Sequence, residues 1–198
     1  MIARCRQGEA RAWDELFDLH YSGTGRFIYQ LNPFFTVEDV EEISQEVFLA
    51  VIRNLQNFQG HSAFQTWLFR IAANKARDYS DKQRAAKRGG GETVFSLDAE
   101  NPESGMKIDP PSGEPAPDRI LWSQERMGLL RQALDELGDP CRELIELKYF
   151  GDLSYEAIAG ELQMNSKTVS SRLSKCLGKL EEITDRVFKR ENLSPFPV

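Results

Sequence analysis

Apolar residues recur along the chain at helical spacing. Ile43, Val47, Phe48, Val51, Ile52 and Leu55 predict one helix with a buried stripe, and Glu38, Glu42, Gln45 and Glu46 fall largely off it. Phe64, Trp67, Leu68, Ile71 and Tyr79 form the apolar side of the next helix. Its other face lines up Arg70, Asn74, Arg77 and Asp81 at successive turns. Between the two, NFQGHSAF reads as a loop, with Gly60 as breaker and Ser62 as the N-cap of the helix that follows. Upstream, residues 9–31 read as two short helices. Trp13, Leu16 and Phe17 are core positions of the first. Phe27, Ile28 and Leu31 continue the pattern after a Gly23-Thr24-Gly25 break, and Asn32-Pro33 ends the second helix.

The later part repeats the helical pattern with clearer punctuation. Ile120, Met127, Leu130, Leu134 and Leu137 make an apolar stripe that Gly138 ends. Asp139-Pro140 reads as an N-cap followed by proline at the first helical position. Leu144, Ile145, Leu147 and Tyr149 follow. Ser154 caps a short helix carrying Ile158 and Leu162, and Gln163-Met164-Asn165 is a turn with Asn165 as N-cap for residues 166–182. Two short helices across a tight turn, the second bearing small polar and basic residues, form a helix-turn-helix pattern. The predicted fold is therefore all-α: two small helical domains, residues 1–88 and 119–198, joined by a flexible acidic linker over 89–118.

Charge sharpens this division. The net charge is −6 over 198 residues, which by itself argues against bulk nucleic-acid binding. Its distribution changes the picture. Residues 36–46 hold Glu38, Asp39, Glu41, Glu42 and Glu46 and no base, whereas residues 70–88 hold seven basic residues against Asp78 and Asp81. An acidic helix followed by a basic, aromatic-studded one points to two partners of opposite charge. Residues 89–118 contain seven acids against Lys107 alone, with five glycines and five prolines, the composition of a mobile tether. Residues 166–180 carry Lys167, Arg172, Lys175 and Lys179 and no acid, which suits DNA phosphates and the major groove.

The chemistry of an enzyme is not apparent. The sequence has no Gly-rich phosphate loop, no metal-ligand cluster and no nucleophile–base spacing, so neither catalytic residues, metal, cofactor nor small-molecule substrate is expected. Glu156 and Glu161 read as exposed helix residues. Cys5, Cys141 and Cys176 are isolated and odd in number, and no disulfide frame or zinc site is expected of them. His20 and His61 are lone. No signal peptide or membrane-length apolar run appears, and a reducing cytoplasm fits the composition.

Glu42-Ile43-Ser44-Gln45-Glu46-Val47-Phe48, Phe58-x-Gly60 and Ser62-x-Phe64-x-Thr66-Trp67-Leu68-x-Arg70-Ile71-Ala72-x-Asn74 closely resemble the second region of bacterial sigma factors of the extracytoplasmic-function group. LSYEAIAGELQMNSKTVSSRLSKCLGKL resembles the fourth region of the same group. Gln163 stands where glycine is usual there, Lys167 where glycine is common, and Ser170 where Lys or Arg is frequent.

The resemblance implies a promoter-reading subunit of RNA polymerase. Asp39, Glu42, Gln45, Glu46 and Phe48 would dock on the basic coiled coil of the β′ clamp. Phe58, Gly60, Ser62, Phe64, Thr66, Trp67, Arg70, Asn74, Lys75 and Arg77 would melt and read a −10-type element, capturing an unstacked non-template base. Ser166, Lys167, Thr168, Ser170, Ser171, Arg172 and Lys175 would read a −35-type duplex, and the apolar surface around Leu144 to Phe150 would meet the β flap. It also implies that the linker threads near the active-site cleft and that an anti-sigma protein is a further partner. The alternative is a two-domain helix-turn-helix regulator that works without polymerase. That alternative explains residues 154–180 but not the acidic-then-basic first half.

Overall fold

The computed structural model describes residues 1–89 and 117–193. Every regular element among them is helical, in the order α1 (Ile2–Arg6), α2 (Ala10–Leu31), α3 (Val37–Asn54), a 3₁₀ turn (Leu55–Asn57), α4 (Phe64–Gly89), α5 (Pro117–Leu137), α6 (Asp139–Ile145), a π turn (Glu146–Phe150), α7 (Tyr155–Glu161) and α8 (Ser166–Arg190). Residues 90–116 of the acidic stretch lie outside the described residues, and with them the threading expected of it.

The first half packs α2, α3 and α4 around Leu16, Phe27, Ile28, Ile43, Val47, Val51 and Leu68, all at 2% exposure or less. Ala72, Ala73 and Ala76 keep α4 thin on its inner side, and Phe27 stacks on Phe69 with ring centroids 4.4 Å apart. Each such large apolar side chain contributes about 1.5–3 kcal/mol on burial. The second half packs α5, α6 and α7 on the long α8, whose Val169, Leu173, Cys176, Ile183 and Val187 face inward. α8 runs to Arg190, two turns beyond the expected end at 182.

The structure differs from the expectations at several points. Residues 10–31 form one helix, not two, because Thr24 is fully buried and its hydroxyl donates to the His20 carbonyl at 2.8 Å, inside the helix. The two glycines cost only about 1 kcal/mol each in a helix interior, which the packing of α2 offsets. Phe17 and Ile52, both read as core, are 43% and 55% exposed. Ser62 does not cap α4. The helix starts at Phe64, and the Ser62 hydroxyl is used elsewhere. Asp139 is the first residue of α6 rather than its cap. That place falls to Gly138, at φ 91°, with proline following in the first turn.

Cys141 on α6 and Cys176 on α8 are joined in a disulfide. Their separation of 35 residues gives no sequence cue, because only the packing of α6 on α8 brings them together. Closing a loop of that length is worth roughly 3–4 kcal/mol when the bond is formed. Cys5 is a free, buried thiol whose Sγ donates to the Ala12 carbonyl at 3.2 Å.

Ser154 and Asn165 cap as expected. The Ser154 hydroxyl accepts from Ala157 N–H at 3.1 Å, and the Asn165 side chain accepts from Lys167 N–H at 2.9 Å. α7 ends in a Schellman-type closure, with Met164 N–H donating to the Ala159 carbonyl at 2.9 Å and Gln163 in the left-handed region at φ 52°. A side chain other than glycine there is strained. Gln163→Gly is expected to raise unfolding free energy by about 1 kcal/mol, as read by urea denaturation. An unchanged or lower midpoint would remove strain as the explanation.

Candidate nucleic-acid and partner interfaces

The acidic face is built from the start of α3. Thr36 Oγ1 accepts from Asp39 N–H at 3.1 Å, and the Asp39 carboxylate accepts from Thr36 N–H at 2.8 Å, a reciprocal capping box. The same carboxylate accepts from the Tyr79 hydroxyl at 2.5 Å and from Gln83 at 3.1 Å. Asp39 is thus a strut between α3 and α4. The Tyr79 phenol is pushed up to about 12 by burial and by the hydrogen bond to Asp39.

Glu42, Gln45 and Glu46 are exposed. Leu49 and Ile52, at 44% and 55% exposure, continue their stripe and give the acidic face an apolar end. Phe48 does not belong to that surface. It is 6% exposed and packs against Phe17 and Tyr21. Lys75 also sits apart from its expected group, because its Nζ lies 3.3 Å from Glu46, on the α3 side of α4.

Around the loop before α4 is an aromatic cluster. Phe58 lies 5.7 Å from Phe64 and 5.2 Å from Trp67, centroid to centroid, and His20 flanks Phe64 at 5.0 Å. Burial lowers the affinity of the His20 ring for a proton. Gly60 turns the loop at φ 75° in open space, beside an exposed Gln59–His61 hydrogen bond of 2.8 Å. Thr66 is 1% exposed, so it supports this cluster from within and presents no atom to a ligand. Asn74 is exposed, and its side-chain carbonyl accepts from Arg77 on the same helix.

Arg70 and Arg77 face the second half of the chain. Arg70 Nε donates to Glu143 at 2.8 Å, and its Nη1 donates to Glu161 at 3.3 Å. Glu161 also accepts from the Ser62 hydroxyl at 2.6 Å and its side chain is 7% exposed, so the expectation that it is a solvated helix residue is corrected. Arg77 lies 3.4 Å from Asp139 and 3.9 Å from Glu146. Arg84 pairs with Asp135 at 2.7 Å, and Arg131 donates to the Leu31 carbonyl at 3.2 Å and to Ser80 at 2.8 Å.

Beneath these pairs lies a buried node. Glu146, 2% exposed, accepts from Arg142 at 2.6 Å, and Arg142 is also paired with Asp135. Burial pushes the Glu146 carboxyl up, against the pull of Arg142, Arg77 and Arg131, and burial likewise pulls Arg131 down to about 10. Backbones meet where α7 reaches the aromatic loop: a Cβ built on Gly160 would stand 2.4 Å from the His61 carbonyl oxygen. The arginine face of α4 is therefore closed under the acids of α5, α6, α7 and the π turn.

On α8, Lys167, Thr168, Ser170, Ser171, Arg172 and Lys175 are exposed and Ser166 is half-buried, all near the capped N-terminal part of the helix. Among the described residues Arg172 reaches only the Met164 sulfur, at 3.2 Å. The expected apolar surface at 144–150 is largely internal. Leu144, Ile145 and Leu147 are at most 4% exposed, and Tyr149 alone among the large apolar residues there projects, at 57%.

No helix among the described residues is long and apolar enough to cross a membrane, and no group of His, Cys, Asp and Glu among them could hold a metal ion.

The family model of the ECF sigma factors matches residues 1–183. The ECF RNA polymerase sigma-E factor of Escherichia coli (strain K12) is 28% identical over 190 residues, covering 96% of this chain and 95% of that protein. The protein of the same name in Haemophilus influenzae (strain ATCC 51907 / DSM 11121 / KW20 / Rd) is 28% identical over 184 residues, covering 91% and 92%. Among solved structures, CnrH in complex with the cytosolic domain of CnrY superposes with a TM-score of 0.53 at 22% identity, over 93% of this chain and 95% of that one, a likeness of fold.

Proposed function

The chain belongs to the ECF sigma factor family and binds core RNA polymerase and promoter DNA, and we propose that it divides those tasks among three faces. The stripe Glu42–Gln45–Glu46–Leu49–Ile52 docks on a basic, partly apolar surface of the polymerase. The loop from Phe58 to Ser62, with Trp67, Arg70, Asn74 and Arg77, opens and holds the −10-type strand. The N-terminal part of α8 reads the −35-type duplex. Residues 1–88 and 119–198 act as separate domains in this work, with 89–118 as the tether. The protein performs no bond chemistry of its own and works in the cytoplasm with the polymerase. An anti-sigma protein is its further partner; CnrH, of the same fold, was solved with the cytosolic domain of CnrY bound.

One observation carries this division. The exposed acidic stripe of α3 and the arginine face of α4 lie on adjacent helices but hold opposite charge, and only the arginine face is covered by the chain's own acids. While Glu143, Glu161 and Asp139 hold Arg70 and Arg77, those guanidiniums are engaged by the chain's own acids rather than by a strand. The closed arrangement is accordingly the promoter-incompetent form, and polymerase engagement goes with opening. Surface ion pairs contribute about 0–1 kcal/mol each, and a buried pair recovers little beyond its desolvation cost. The polar part of the seam therefore adds little to holding the halves together, and what remains is apolar contact such as that of Phe69 with Gly151.

Arg172 tests the third face. Arg172→Ala is expected to weaken holoenzyme binding to the upstream element by about 1–3 kcal/mol if the guanidinium reads a base edge, with core binding unchanged. Fluorescence anisotropy on matched and scrambled duplexes decides it. An equal loss on both, with a shallower salt slope, makes Arg172 a phosphate contact instead, and no loss on either removes it from the face.

A further inference from the structure

We propose that Cys141 and Cys176 form a reversible thiol–disulfide site whose oxidation holds the two halves closed. This rests on the proposed role of the closed arrangement. Both cysteines line a cleft of about 670 Å³ that also takes in Arg70, Glu143, Glu161 and Lys175. The site is therefore at the seam between the halves, open to a small oxidant.

The link to closure is geometric. Arg70 is held by two carboxylates at once, Glu143 from α6 and Glu161 from α7. Cys141 lies on α6 between Asp139 and Glu143, both of which pair with arginines of α4. Cys176 lies on α8, against which α7 packs. The disulfide ties α6 to that platform and fixes the spacing of the two carboxylates before they meet Arg70. With thiols there, α6 is held to α8 by packing alone, and each closing event must order the acid pair anew.

The setting favours exchange. A polymerase subunit works where glutathione keeps thiols reduced, so a disulfide there marks a response to oxidant rather than a permanent staple. Cys141 is half-buried and Cys176 is 5% exposed, which makes Cys141 the entering nucleophile. Cys5 is remote in α1, 2% exposed, and burial pushes its thiol up, so it takes no part.

Glutathione disulfide serves as oxidant. The Cys141 thiolate attacks one of its sulfurs, and that S–S bond breaks to release one glutathione. The Cys176 thiolate then displaces the second glutathione from the mixed disulfide, forming the Cys141–Cys176 bond. Two protein thiols are oxidised, one glutathione disulfide is reduced to two glutathione thiols, and these take up the two protons.

The full chain would be equilibrated in glutathione buffers of graded ratio, alkylated, and scored by mass, with transcription by reconstituted holoenzyme read on the same samples. The oxidised fraction is expected to titrate within the range of the buffers. Oxidised protein should give roughly fivefold less open complex or lower, the scale on which coupled equilibria shift. Cys141→Ser and Cys176→Ser should each transcribe like the reduced protein at every ratio. The proposal is overturned by thiols that never pair, by a bond that glutathione cannot reduce, or by equal transcription from both forms. Failure of the reduced protein itself to transcribe would instead count against the division of faces, and circular dichroism of both serine variants shows whether loss of folding is the cause.

Discussion

Holoenzyme assembly is expected to fail when Glu42 and Glu46 are both replaced by lysine. Both side chains project from α3 into solvent, and neither is part of the core. Glu42 gives up only a 3.3 Å hydrogen bond from Tyr79, and Glu46 a 3.3 Å ion pair with Lys75 whose acid is 54% exposed. The fold therefore loses little, since such a pair is worth less than about 1 kcal/mol. The partner loses much more. Two attractive charges become two repulsive ones on a surface read as complementary to a basic one, and like charges brought together across an interface cost several kcal/mol.

The expected result is a fall in core affinity of at least a hundredfold at moderate salt, measured by anisotropy with labelled chain. Thermal unfolding should move by no more than a few degrees. Leu49→Ala and Ile52→Ala test the apolar end of the same stripe, with a smaller loss that is insensitive to salt. Wild-type assembly by the double lysine variant would show that the docking face lies elsewhere.

The parts of this molecule that the sequence made legible are those decided within one or two turns. The caps at Ser154 and Asn165, the end of α5 at Gly138 and the stop at Asn32-Pro33 depend on local hydrogen bonds and on fixed φ angles, and the structure has them. The acidic and basic faces were equally plain, because the side chains of a helix are ordered by its period. What could not be seen is tertiary. Whether Phe48 or Leu49, Val51 or Ile52 turns inward depends on where α2 lies across α3, and the residues sit at the border of the stripe. The Gly23-Thr24-Gly25 break vanished because burial of Thr24 outweighs the low helix propensity of its neighbours. The Cys141–Cys176 bond and the acids that cover Arg70 join residues 35, 73 and 91 positions apart. Glu161 reads as a solvated helix residue from its neighbours in sequence. Only the approach of α7 to the aromatic loop makes it a buried partner of Arg70 and Ser62.

That approach rests on one missing methyl group. Gly160 brings α7 against the aromatic loop so closely that a Cβ would stand 2.4 Å from the His61 carbonyl oxygen, 3.4 Å from its carbon and 3.7 Å from Ser62 Cα. The first of these is backbone and cannot rotate away. Gly160→Ala is therefore expected to open the closed form. Within α7 itself alanine is the better residue, by about 1 kcal/mol, so the helix-turn-helix unit should unfold at the same temperature or higher. Between the halves the clash displaces α7, and with it Glu161 leaves Arg70 and Ser62. Overpacking of this kind costs about 1–3 kcal/mol, which corresponds to a shift of roughly 5- to 150-fold toward the open form. The released Arg70 then faces solvent, and the free chain should bind a single-stranded −10-type oligonucleotide more tightly by a comparable factor in anisotropy. Small-angle scattering should record a larger radius of gyration. Core binding should tighten as well, because polymerase engagement goes with opening and the variant is already shifted toward the open form. An oligonucleotide affinity equal to that of the parent chain, in a variant shown by scattering to be expanded, would mean that closure does not guard the arginine face.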